Sequence, residues 1–191
     1  MPKMDWPVPD AFNPEGETVK ALAQAKAKLS KSFKWSKAQC LYDATALAVL
    51  LHVFDRDDEA LEVCRALGRI QFDGKFSPWS GVETALTLQA RLLRLRGETT
   101  DADECVRRVR EAGYSDNRLD GSLLDRNGTV SLAVKDGNKK SELAGRVTMA
   151  KEIAFIIELG GSKKCPVDRM EKEWKENLAR LRELTGAGKA A

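Results

Sequence analysis

Leu143, Val147, Ala150, Ala154 and Ile157 step four, three, four and three residues along the chain, a spacing that an α-helix gathers onto one face. The same spacing marks Val167, Met170, Trp174, Leu178 and Leu181, with Gly186 just beyond. Helices are therefore expected from about Ser141 to Leu159, closed by Gly160-Gly161, and from about Pro166 to Leu184. An amphipathic helix must bury its stripe, so segments like these specify a fold of helix packed on helix.

The first half of the chain carries more of them. Val19, Leu22, Ala25, Leu29 and Phe33 predict a helix from Pro14 to about Lys31, after an extended start over residues 1–13. Ser36 and Gln39 form a capping box before Leu41, Leu47, Ala48, Leu51 and Phe54, and Asp55-Arg56-Asp57-Asp58 stops that helix. The next runs from about Asp57 to Ile70, with acids in its first turn and Leu61, Cys64 and Leu67 as its stripe. Gly74 and Pro78 break the chain. A helix then starts near Pro78 or Ser80, with Ser80 and Glu83 as a second capping box, and ends at Arg94-Leu95-Arg96-Gly97. Thr100 introduces Asp101, Asp103 and Glu104 and a helix with Ala102, Val106 and Val109 inward, closing at Gly113.

Residues 114–140 are the least helical part, rich in Asp, Asn, Gly and Ser. Asn127-Gly128, Asp136-Gly137 and the alternation Val130, Leu132, Val134 suit a small two-stranded ribbon, and a mobile loop is the other reading. The expected architecture is all-α: antiparallel hairpins stacked as a short repeat-like array or an irregular bundle, with that ribbon or loop inserted and a frayed tail at 186–191. At 191 residues, 42% hydrophobic and 32% charged, the chain suits a single helical domain with its own core. Cysteines at 40, 64, 105 and 165 form no disulfide framework, and the proline- and acid-bearing start lacks an export signal. The longest apolar run, Ala44 to Phe54, is too short to cross a bilayer. A cytoplasmic protein without membrane insertion is the expectation.

Shifting the chain by 42 residues superposes Ala48 on Ala90, Asp55 on Gly97, Arg56 on Glu98 and Ala60 on Ala102, each pair at equivalent points of a hairpin. Small residues at these points let antiparallel helices approach closely. Leu47, Ala48, Leu51, Ala60 and Cys64, and then Ala90, Leu93, Gly97, Ala102 and Val106, resemble the tetratricopeptide repeat over about Leu41 to Gly113. The departures are Asp55 at the turn glycine, Gln89 at a leucine, no closing proline and a unit longer than the family's 34 residues. The resemblance implies a concave face for a partner segment, lined here by Tyr42, Thr45, Val49 and His52 and by Thr84, Thr87, Arg91 and Arg94. Arginines there supply forked donors for carboxylates; alternatively Arg91, Arg94 and Arg96 complement the negative end of their helix.

His52 is the single histidine and sits inside an apolar helix, where it reads as structural. No nucleophile elbow, phosphate loop, dinucleotide glycine pattern or zinc-protease motif occurs, and the cysteines are too scattered for a zinc site. No catalytic residue, metal or cofactor is expected. Six lysines and no acid lie between Thr18 and Tyr42, and Lys31, Lys34, Trp35 and Lys37 offer ammoniums and an aromatic face to an anion. A solvated helix face explains the same run. The expected function is protein–protein interaction without catalysis, in an adaptor, a regulator or a toxin-neutralising immunity protein. Binding of nucleic acid or an anionic surface through the Lys20–Lys37 run is the alternative.

Overall fold

A computed structural model describes residues 38–112 and 128–187. These form seven helices and no strand: α1 Ala38–Val53, α2 Asp57–Gly68, α3 Phe76–Leu95, α4 Thr99–Glu111, α5 over 128–135, α6 Lys139–Glu158 and α7 Val167–Thr185. The all-α fold follows from the spacing of the apolar residues. The helix expected over Pro14–Lys31, the cap at Ser36 and residues 114–127 lie outside the described residues.

α1 and α2 form one hairpin and α3 and α4 a second; α3 packs on both helices of the first, and α6 lies across α1 and α3 with α7 beside it. Leu41, Leu51, Leu61, Leu86, Leu93, Ile153, Phe155 and Trp174 belong to one continuous buried core drawn from α1, α2, α3, α6 and α7. Ala48, Ala60, Ala90 and Ala102 are fully buried. At Gly81 a Cβ would stand 2.6 Å from Leu41 Cβ, so α3 rides on α1 there because glycine leaves the space. At the adjacent residues, Tyr42 Oη and Ser80 Oγ share a hydrogen bond of 2.6 Å across the same pair of helices.

The two hairpin turns have one geometry. The amide of Arg56 donates to Leu51 O and that of Asp55 to His52 O; 42 residues on, Glu98 donates to Leu93 O and Gly97 to Arg94 O. Asp55 and Gly97 both take positive φ, 59° and 80°. Aspartate tolerates this left-handed conformation better than most side chains, which is how it stands where the second turn has glycine.

Three expectations are corrected. α3 starts at Phe76, so Ser80 lies inside the helix and caps nothing; its hydroxyl donates back to Ser77 O. α4 starts at Thr99 behind Glu98, with no side-chain cap from Thr100. The β-ribbon is absent from its described part: Val130, Leu132 and Val134 lie on α5, with Val130 and Ala133 buried and Leu132 and Val134 exposed. Asp136-Gly137 ends that helix, with Gly137 at φ 65° and the amide of Asn138 donating to Ala133 O. Asn138 then opens α6, its side chain accepting from the amide of Ser141 at 3.0 Å.

Arginines stop several helices from outside. Arg108 on α4 donates to Gly68 O at the end of α2, Arg110 to Leu159 O after α6, and Arg182 on α7 to Val53 O at the end of α1. Each places positive charge on carbonyls that have no partner within their own helix.

Candidate functional site

The residues expected to line a partner-binding face are brought together, and the chain's own C-terminal helices cover them. Thr45, Val49 and Thr87 are fully buried and Thr84, Arg91 and His52 nearly so; Tyr42 and Arg94 are half-buried. The threonine hydroxyls donate to their own helices, Thr45 to Leu41 O, Thr84 to Ser80 O and Thr87 to Glu83 O. Lys151 of α6 donates to Tyr42 O at 3.3 Å with its ammonium 5.6 Å from the Tyr42 ring. An open groove along α1 and α3 is thus corrected to an internal seam, because α6 and α7 bring apolar stripes that must be buried somewhere.

The two arginines of that seam hold carboxylates of the covering helices. Arg91 forks onto Glu171 of α7, 2.7 Å from Nη1 to Oε1, and lies 5.3 Å over the Trp174 ring. Arg94 donates from Nε to Glu158 Oε2 at 2.6 Å and from Nη2 to Asp103 at 2.7 Å. Arg96 donates to Asp58. These cations serve ion pairs between helices, which displaces the reading that they only complement their own helix end. Burial pushes the Glu158 carboxyl above the ordinary range, against the pull of Arg94 and Arg91. At the other end of α6, the Arg180 and Arg146 guanidiniums hold Glu142 down at about 2.

His52 Nδ1 lies 2.6 Å from Asp57 Oδ1, its ring stacks 5.9 Å from Trp174, and Nε2 is buried with no hydrogen-bond partner. A general base must reach a substrate proton, and this nitrogen faces packed protein. All four cysteines are free, and burial raises the thiols of Cys64 and Cys105, the latter to about 11, so neither is a thiolate near neutrality. Among the described residues no three His, Cys, Asp or Glu side chains are grouped to hold a metal ion, and no helix is long and apolar enough to cross a membrane. Lys31, Lys34, Trp35 and Lys37 lie outside the described residues.

The surface feature that sequence reasoning missed lies where α2, α3 and α4 meet. Phe72, in the loop after α2, and Phe76, the first residue of α3, are 36% and 63% exposed, with rings 5.0 Å apart and Phe72 5.4 Å from buried Trp79. Beside them run two depressions that share Gln71, Glu104 and Arg108. One, of about 500 Å³, has Leu86 and Leu93 among its lining with Arg65, Arg69 and Gln89; the other, of about 570 Å³, reaches Phe72 and Trp79. Phe72-Asp73-Gly74-Lys75-Phe76 gave a signal in the sequence, two large apolar residues flanking a turn with no helical stripe to absorb them.

The sequence pattern of a family of unknown function (DUF6707) matches residues 10–183. No curated protein and no solved structure matches the chain.

Proposed function

The chain belongs to that family, whose description carries no activity, and we propose from the chain's own geometry that it is a protein-interaction module that performs no chemistry. The observation that carries this reading is the aromatic pair Phe72 and Phe76, held in the open beside a cleft of leucine, glutamine and arginine. Exposed aromatics over a supporting ring are the side chains that anchor protein interfaces, because each buries a large area at small entropic cost. The sealed His52 nitrogen, the un-ionised thiols and the mutually paired interior charges speak against a catalytic role. The shared turn geometry at Asp55 and Gly97 supports reading α1 to α4 as two units of a tetratricopeptide-like array. The partner surface then lies on the outer side of those units, since the inner side is occupied. Adaptor, regulator and immunity protein are roles of this kind, and the partner's identity separates them.

The test is affinity purification of the full chain from its source cells, with F72S/F76S as control and quantitative mass spectrometry as readout. A protein retained by the native chain and lost from the variant, with melting of the two alike, is the expected result. Recovery of the same proteins by both would overturn the reading.

A further inference from the structure

We infer that the cleft beside Phe72 and Phe76 takes an acidic peptide segment of the partner, with an apolar side chain seated on the aromatic pair; this rests on the protein-interaction reading above. The argument is charge complementarity. Arg65, in the last turn of α2, and Arg69, just after its end, are exposed and in no ion pair among the described residues. Arg108 is already engaged, its N–H groups on the carbonyls of Gly68 and Ile70 at the end of α2 and its charge beside Glu104. Glu104 is held by Arg107, which also holds Glu111. In the depression lined by Leu86 and Leu93, Arg65 and Arg69 therefore stand without a carboxylate, against a single acid without a cation, Asp101.

Guanidiniums in that state are forked donors for carboxylates, and their worth rises where leucines such as Leu86 and Leu93 lower the local dielectric. The cleft lies between helices, with no free strand edge among the described residues, so the segment is recognised by side chains and not by added strand pairing. An anionic membrane fits less well. Asp73 stands in the tip of the aromatic loop, its carboxyl held down by Lys75, where a flat negative headgroup layer would meet it and a segment lying in the cleft would not.

A random dodecapeptide display library panned on the full chain tests the inference. Enriched peptides are expected to carry several Asp or Glu around one Leu, Phe or Trp. Synthetic copies should bind R65E/R69E at least tenfold more weakly, lose affinity in F76A, and weaken with added salt. Because Arg65, Arg69 and Phe76 are exposed, these variants should melt with the native chain. Basic or uncharged peptides that still need Phe76 would overturn the acidic class and leave the protein-interaction reading standing. Acidic peptides bound equally by R65E/R69E would overturn the cleft. No enrichment, with binding to phosphatidylserine vesicles or to single-stranded DNA instead, would overturn both.

Discussion

Asp55 and Gly97 close equivalent turns with different side chains, and the difference is a stability statement. A left-handed residue without a stabilising side chain costs about 1–2 kcal/mol in an L-amino acid. Asp55→Gly should therefore change stability by less than about 0.5 kcal/mol, because the relief of φ 59° is offset by the freer unfolded chain and the lost pair with Arg182. Gly97→Ala should cost about 1–2 kcal/mol by urea unfolding. Two buried glutamates of α6 make a second pair. Glu142 is held at about 2 by Arg180 and Arg146, below its ordinary 4.5, so it stabilises the fold above pH 4.5 and that contribution is lost as pH falls toward 2. Glu158 is displaced upward by burial, so the folded state binds its proton more readily than the unfolded state and gains on it as pH falls from neutral. Measured by urea unfolding across pH, the advantage of the native chain over E142Q should be about 1–3 kcal/mol near pH 7 and shrink on acidification. Its advantage over E158Q should grow instead.

Among the elements, what the sequence made legible follows its strongest physical signals. α6 and α7 carry unbroken three-four stripes and begin and end within about two residues of expectation. α5 was misread because Asp-Gly supplies a residue able to take positive φ, and a hairpin turn and a helix stop both require one. Val130 and Ala133, three apart, pointed to the helix, whereas Val130, Leu132 and Val134, two apart, pointed to a strand. Val130 decides it by packing on α6, its Cγ2 standing 2.8 Å from where a Gly145 Cβ would be. The residues expected to face a partner are instead mostly buried along α1 and α3, which was not legible because periodicity says which residues share a face and not what covers it. Gly81 tests the close crossing of these two helices. In a solvated helix Gly→Ala gains up to about 1 kcal/mol. At position 81 the new methyl would meet Leu41 at 2.6 Å, so G81A should instead lose about 1–3 kcal/mol, read as a lower melting temperature.

For the whole molecule, the consequence is a division between inside and outside. α6 and α7 spend the inner face of the two hairpins on the protein's own core, and Arg91 and Arg94 on ion pairs with Glu171, Glu158 and Asp103. The outer side retains the exposed aromatic pair and the arginines without acids. Photo-crosslinking discriminates most directly between a partner on the inner face and one on the outer. Benzoylphenylalanine is placed at Tyr42, on the seam, or at Phe76, at the exposed start of α3; both positions already hold an aromatic ring. Irradiated in source cells, the chain labelled at Phe76 should give an adduct with a second protein, and the chain labelled at Tyr42 only links within itself. An intermolecular adduct from Tyr42 and none from Phe76 would contradict the account.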